Sequence, residues 1–537
     1  MPGPRAHGGW TPERSVAGKR NPWSIIAVIS IATFMVVLDT SIANVALAHI
    51  AGGLSASYDE AAWVITSFLV ANAIVIPISG WLADVFGRKP YYMFSVALFT
   101  LASLACGLSI NLPMLIVARI LQGIGGGGLA PVEQSMMVDT FPPAKRGAAF
   151  AAYGVVVIVG PIFGPTLGGW ITDAYSWHWV FLINVPIGVL SLVLVTLFVD
   201  EPQALKRQSE KLRARGLKVD YVGFLLAALF LGCLEVTLDR GQREDWFSSG
   251  LICATTAVCT LSFLAFIPWE LFQDEPIINI KLFRNGNFII SNVFMLLMGL
   301  IVFGTTQFIP QLLQEVLGYT ATNAGLALTA GGVATLLMMP LAGFLSSRVD
   351  ARILIGFALA MQAIAMWNMA GLDTGMAFRD AAIARMIQSV ALPFLFVTIT
   401  NIAYVGIRPG QNNQASALMN VARNLGGTFG ISLVQTMLAR QSQVHQSQYV
   451  ETLNPLNPNY VHGISRLARE LMANGLSQAD ATRAATAQLY RSLGRQAEML
   501  SYIDVFHVLM WVVIVVLPLV LLLKKSDKKG GEGGAPA

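Results

Sequence analysis

RILQG, residues 119–123, lies inside a long apolar run, and RMIQS, residues 385–389, lies inside another one 266 positions later. In both, an arginine and a glutamine three residues on stand where a helix would be crossing hydrocarbon. Putting a charged side chain there costs at least ~3 kcal/mol on insertion scales, so such residues usually line a polar pathway. The same offset carries Gly160 onto Gly426, and an offset of 263 carries GWLADVFGRK (residues 80–89) onto GFLSSRVDAR (residues 343–352). The chain therefore reads as two related halves. Repeated halves with a site near the membrane midplane, at their interface, are a recurring plan of secondary transporters.

The composition agrees with that reading. The chain has 537 residues, 55% hydrophobic and only 12% charged, with mean hydropathy +0.62, which excludes an ordinary soluble globule. Apolar runs fall near 24–47, 61–82, 90–110, 113–138, 148–172, 178–199, 221–238 and 249–270, then near 288–310, 321–345, 353–372, 380–405, 412–437 and 503–523. Each approaches the ~20 residues that a helix needs to cross ~30 Å of hydrocarbon. They predict an all-α polytopic bundle of fourteen spans, two six-span halves flanking two inserted spans, seven and eight. With the N-terminus inside, all eleven lysines fall on the inner side: Lys19, Lys89, Lys145, Lys206, Lys211, Lys218, Lys281, Lys524, Lys525, Lys528 and Lys529. Short outer loops keep Arg240, Arg243 and Arg379, so the positive-inside rule puts both termini in the cytoplasm. A sequence pI near 9.0 then reflects orientation and not nucleic-acid binding, because the basic residues form no single patch.

The expected organisation is a cytoplasmic tail (1–22), a six-span half (23–200), a basic cytoplasmic linker (201–220), the inserted pair (221–272), a second half (286–523) and a cytoplasmic tail (524–537). The linker reads as solvated, within reach of anionic headgroups. A long external connection, 438–502, interrupts the second half. Ser477 and Asp480 mark the start of a helix in it whose Ala481, Ala484, Ala485, Leu489 and Leu493 make one apolar face. All four cysteines lie in apolar spans, so no disulfide framework is expected. The first span is too long for a signal-peptide core and no small-residue cleavage site follows it.

Gly80, Asp84, Gly87, Arg88 and Lys89 stand in the short inner loop between spans two and three. Two glycines permit a tight turn, and a carboxylate and a guanidinium at (i, i+4) can hold an inner gate shut. The second-half copy has Ser347 in place of Asp84, so the lock is expected on one side only. This loop resembles the signature of the major facilitator superfamily. Span five carries Gly160, Pro161, Gly164, Pro165, Gly168 and Gly169, which resembles the antiporter motif of that superfamily, with Ala151 where a first glycine is usual. Glycines four apart make a groove for close helix contact. LDTSIANVAL (residues 38–47), WHWVFLINVPIG (177–188, with His178 for the usual arginine) and LDRGQREDWF (238–247) extend the likeness over nearly the whole chain. With fourteen spans, it is similar to the fourteen-span drug:proton antiporter family of the EmrB/QacA type. The resemblance implies a major facilitator fold, energised by protons without a cofactor and lodged in the cell inner membrane. It implies export of small hydrophobic or amphipathic compounds and, where there is an outer membrane, a periplasmic adaptor protein and an outer-membrane channel as partners.

GIGGGG (residues 123–128) satisfies GxGxxG but lies mid-span with no strand before it, so it is expected to pack helices and not to hold a dinucleotide. No P-loop, HExxH or Cys/His cluster points to ATP or metal. Among ionisable residues, Asp39 lies deep in span one. A carboxyl group taken out of water is harder to ionise, which makes Asp39 the first candidate for a proton carrier or, alternatively, a fixed partner for a buried arginine. The family's first-span aspartate is likewise tied to coupling. Arg119, always charged, can tune a nearby acid, and Glu133 is a second protonation candidate. Arg385 and Arg423 rank lower, and Glu235 is expected outside the transport path. Trp63, Phe68, Asn72, Gln122, Phe303, Gln307, Phe308, Phe394, Phe396 and Asn401 fall on spans expected to face a central cavity, where aromatic walls and a few amides suit varied apolar ligands. A passive or uptake carrier and a membrane-embedded enzyme stay open as alternatives; the enzyme lacks a nucleophile with its base.

Overall fold

The computed structural model describes residues 21–214, 220–273, 276–454 and 456–524. The two predicted tails, apart from residues 21, 22 and 524, and residues 215–219 of the linker lie outside this set. Nineteen α-helices and no strand occur among the described residues.

The first half opens with α1 (Pro22–Gly53), started by Pro22 in its first turn and by Asn21, whose side chain accepts from the Trp23 amide at 3.0 Å. Next come α2 (Tyr58–Ala61), α3 (Trp63–Phe86), α4 (Arg88–Gly107), α5 (Leu112–Gly127), α6 (Leu129–Thr140), α7 (Pro143–Ala174), α8 (Trp179–Leu182) and α9 (Asn184–Phe198). Gly87, at φ +93°, makes the turn between α3 and α4 in a conformation that a side chain disfavours. The glycine run that mimics a dinucleotide motif packs α5 on its neighbours. A Cβ on Gly123 would stand 2.5 Å from the Phe68 carbonyl oxygen of α3, and one on Gly125 2.6 Å from the Phe99 nitrogen of α4.

Linker residues form α10 (Gln203–Ala214), followed by the inserted pair α11 (Tyr221–Arg240) and α12 (Gly250–Phe272). The linker is less solvated than expected, since Leu205 and Ser209 are buried beside the end of α3. One buried leucine in the whole helix is too weak a pattern to stand out among six basic residues. Of the inserted pair, α11 sits against α3 of the first half and α17 of the second, and α12 packs on α11.

The second half comprises α13 (Gly286–Gln311), α14 (Ala321–Arg348), α15 (Ala351–Ala370), α16 (Phe378–Ala403), α17 (Asn412–Thr452), α18 (Pro458–Ala473) and α19 (Gln478–Val516). At 41 residues, α17 is roughly 60 Å long, about twice the hydrocarbon thickness. The connection expected over 438–502 is thus mostly helical: the end of α17, α18, and the beginning of α19. Ser477 caps α19, its hydroxyl accepting from the Asp480 amide at 3.2 Å, and Ala481 and Ala485 bury against Ala468 of α18.

Twelve helical stretches among the described residues are long and apolar enough to cross a membrane. Both α7 and α17 pack inside the same bundle, against α1 and α13 respectively. The halves meet along two glycine seams. A Cβ on Gly80 of α3 would lie 2.9 Å from the Asn413 carbonyl oxygen of α17, and one on Gly343 of α14 would lie 2.8 Å from the Ala151 Cβ of α7. These glycines are repeat partners, 263 residues apart.

Candidate functional site

A fully buried polar cluster is built on α1, α5 and α9. Arg119 and Asp39 are completely buried and ion-paired, Arg119 Nη1 donating to Asp39 Oδ2 at 2.7 Å. Gln122, one turn along α5, donates to Asp39 Oδ1 at 2.8 Å, and Asn184, at the start of α9, donates to the same oxygen at 2.6 Å. Arg119 Nε donates to the Val64 carbonyl at 2.9 Å, and its guanidinium lies 4.2 Å from the Phe68 ring centroid. Burying such a pair is tolerable because both charges are held by further hydrogen bonds. Of the two readings open for Asp39, this conformation has the arginine-paired one. Gly160, Gly164 and Gly168 of α7 press on Val37, Ser41 and Ile42, so the antiporter-like stretch grips α1 on both sides of Asp39. A Cβ on Gly169 would meet nothing within 4 Å, and the side chains of Pro161 and Pro165 lie outside the described residues.

Glu133 of α6 stands elsewhere, wholly buried among hydroxyls. Thr33 Oγ1 contacts its Oε2, Tyr92 OH lies 3.1 Å from its Oε1, and Tyr153 OH lies 3.1 Å from Thr33 Oγ1. Among the described residues no cation pairs with it.

At the lysine-rich end, the predicted gate loop is fully engaged. Arg88 is ion-paired with Asp139 of α6, both buried. Asp84 accepts from Asn413 Nδ2 at 2.5 Å, and Asp139 accepts from Asn412 Nδ2 at 2.7 Å. Asn420 donates to Gln134 at 2.9 Å. Lys89 Nζ donates to the Val199 carbonyl at 2.6 Å, where α9 ends. Glu201 accepts from the backbone amides of Arg88 at 3.2 Å and Lys89 at 2.8 Å, capping α4 from a distant part of the chain. First-half acids and amides thus grip the start of α17, which closes this end of the seam.

The residues expected around a central cavity are dispersed. Phe68 and Gln122 belong to the Arg119 cluster, Asn72 faces the glycines of α5, and Trp63 lies 4.4 Å beneath the Arg240 guanidinium. Phe396 stacks on Tyr153 across the seam at 6.4 Å, whereas Phe394 turns edge-on to Phe357 of α15 at 5.6 Å. Phe308 is buried in the apolar cluster that includes Tyr502 and Phe506, Phe303 and Gln307 are exposed, and Asn401 is half-buried. Sequence reasoning did not single out Asn184, Thr33, Tyr92, Tyr153, Asp139, Asn413 or Glu201. Asn184 lies inside a quoted run, and Asp139 lies one residue beyond its span; those were the available signals. No group of three or more His, Cys, Asp or Glu that could hold a metal occurs among the described residues.

Residues 29–431 match the Major Facilitator Superfamily. The chain belongs to that superfamily. Among curated relatives, the multidrug export protein EmrB of Escherichia coli K12 is 39% identical over 94% of this chain and 96% of its own. The EmrB of Haemophilus influenzae is 41% identical over 80% of this chain and 83% of its own, and the fatty acid resistance protein FarB of Neisseria gonorrhoeae is 34% identical over 94% and 96%. Among solved structures, the proton:xylose symporter XylE superposes with TM-score 0.56 at 16% identity, covering 94% of this chain and 99% of that one. Human MFSD10 does so with TM-score 0.56 at 13% identity, covering 92% and 100%. The two solved structures bear on the fold alone: a multi-pass helical facilitator.

Proposed function

We propose that this facilitator is a multidrug exporter driven by protons, moving small hydrophobic or amphipathic compounds out of the cell by alternating access. The family and the names of its relatives support the transport class. The hydrogen count around Glu133 is the observation that carries the proton coupling. Tyr92 has one phenolic hydrogen but two acceptors within reach, the Ile29 carbonyl at 2.7 Å and Glu133 Oε1 at 3.1 Å. A proton on Glu133 lets both contacts be hydrogen bonds, with Tyr92 donating to Ile29 and Glu133 donating to Tyr92. An ionised carboxylate here would be buried with hydroxyl partners alone and, among the described residues, no paired cation to offset it. Glu133 is therefore the group that holds the proton while the lysine-rich end is shut. Asp39 is clasped by Arg119 in this state and joins the coupling only in a conformation where Arg119 lets go.

In this reading there are fourteen spans, with α7 and α17 completing the twelve, in the inner membrane with both termini cytoplasmic. The lysine-rich end faces the cytoplasm, and Gly80, Asp84, Gly87, Arg88 and Lys89 form its gate. Seam residues such as Phe396, together with Trp63, Phe68, Asn72, Gln122, Phe303, Gln307, Phe308, Phe394 and Asn401, supply the substrate path as the halves rock. The helical projection of α17, α18 and α19 would meet a periplasmic adaptor leading to an outer-membrane channel, as similarity to EmrB suggests. The test is flux in everted vesicles with an acid interior, across lipophilic cations, weak acids and fatty acids. An antiporter fills the vesicles with drug against its gradient; a passive carrier ignores the pH difference, and a proton symporter drives the drug the other way.

A further inference from the structure

Glu235 has no part in the scheme above, yet it is 4% exposed and lies within an apolar helix of the inserted pair. Its contact crosses the seam. Thr428 Oγ1 of α17 lies 3.0 Å from Glu235 Oε2 and 3.2 Å from Oε1. The same hydroxyl lies 3.1 Å from the Asn424 carbonyl oxygen one turn back. One hydroxyl hydrogen thus faces three acceptor oxygens, and a threonine in a helix ordinarily gives it to the carbonyl four residues earlier. An unprotonated carboxylate would leave its contact with Thr428 without a hydrogen, or take the hydrogen away from Asn424. A protonated one completes a chain in which Glu235 donates to Thr428 and Thr428 donates to Asn424.

The charged neighbours agree. On α11 itself Asp239 accepts from Thr66 of α3 at 2.5 Å, and Arg240 turns away to donate to the Asp59 carbonyl at 3.0 Å and cover Trp63. On α17 the nearest cation in sequence is Arg423, which interacts with Tyr153 of α7. Neither α3 between residues 63 and 83 nor α12 before Glu270 carries a charged side chain. No ion pair to Glu235 exists among the described residues. A lone carboxylate with a single hydroxyl donor is an expensive group to keep ionised in a bilayer.

We propose that Glu235 is a further proton-binding site of the transporter, protonated in this conformation and bonded to Thr428, so that the inserted pair takes part in coupling. α11 rides on α3 of the first half, while Thr428 belongs to the second. Rocking of the halves therefore makes or breaks the hydrogen bond and changes how readily the proton leaves. The proposal rests on the proton-driven reading for its role in transport, but its protonation state can be tested without any substrate.

Infrared difference spectra of the purified wild type and E235Q at neutral pH provide that test. A protonated-carboxyl band present in the wild type, absent from E235Q and displaced in T428V is expected; no band lost in E235Q overturns the proposal. The amide of E235Q can still donate to Thr428, so a merely structural role would leave transport unchanged. Proton coupling through Glu235 instead lowers the ethidium accumulation ratio in energised everted vesicles, by roughly fiftyfold at 100 mV for each proton lost from the cycle. Wild-type vesicles that ignore the pH gradient would refute proton drive itself. Coupled wild type with equally coupled E235Q would refute only the part assigned to Glu235.

Discussion

Arg119 and Gln122 of the first half and Arg385 and Gln388 of the second occupy the same repeat positions, 266 residues apart, but their third partner differs. In the first half it is Asp39, at 2.7 Å from Arg119 and 2.8 Å from Gln122. In the second it is Thr305, again 266 residues on, at 3.1 Å from Arg385 Nη1 and 2.8 Å from Gln388 Nε2. Arg385 also contacts Gln388 and donates to Thr306 at 3.1 Å, yet no acid pairs with it among the described residues. A duplicated scaffold has thus kept its geometry and changed its charge. One half holds a neutralised pair and, elsewhere on α6, an acid, Glu133, that no cation pairs with among the described residues; the other holds an arginine that no acid pairs with there. The glycine seams repeat as well: Gly426 and Gly430 press α17 on Leu296 and Leu300 of α13 as Gly160 and Gly164 press α7 on α1. What packs is common to both halves, whereas the fully buried acids among the described residues belong to the first half, the linker and the inserted pair.

The sharpest way to break this comparison is to remove each arginine. R119M strands Asp39 as a buried uncompensated charge and should cost about 3–5 kcal/mol of stability. R385M deletes a cation that has no acid, and should be near neutral or stabilising. Thermal unfolding in detergent checks this, and equal losses in the two variants would contradict it. The double variant D39L/R119M should recover most of the R119M loss, because an apolar pair of similar volume replaces the ionic one. Next in size, T305D supplies the missing acid, and its charge-assisted bond to Arg385 should be worth about 1.5–3 kcal/mol once formed. A melting temperature that falls would mean that the second half does not share the first half's geometry.

Smaller still, G80A presses a methyl group on the Asn413 backbone and should disfavour closure of the lysine-rich end by about 1–3 kcal/mol. Spin-label distances across that end should lengthen, and unchanged distances would contradict the tight seam. S477A calibrates the scale away from both glycine seams: loss of one cap at α19 should cost roughly 0.5–2 kcal/mol, read by hydrogen exchange in α18 and α19 alone.

Much of this was legible in the chain. The repeat, the gate loop and the apolar runs are statements about spacing, and spacing survives folding. The Arg119 pairing was one of two readings open for Asp39, since two opposite charges buried in one half are cheapest together. The hydroxyl cage of Glu133 was not legible. Polar residues are not confined to one face of α1, α6 or α7, and α4 mixes tyrosine, serine and threonine among its apolar residues, so nothing in their periodicity tells which way Thr33, Tyr92 or Tyr153 turns. The same holds for Phe394 and Phe308, which face neighbouring helices of their own half. Asp84 and Arg88 are four residues apart and invite a local pairing, yet each has a remote partner, Asn413 and Asp139, because the gate joins two halves that the sequence presents separately.

Proton-driven export, as proposed here, depends on Glu133 of the first half holding the proton of the transport cycle. Its most direct test is E133Q in energised everted vesicles, with ethidium accumulation and downhill ethidium exchange measured side by side. The account predicts that E133Q, which keeps the shape of the side chain, loses pH-driven accumulation but retains exchange. Accumulation equal to the wild type would contradict it.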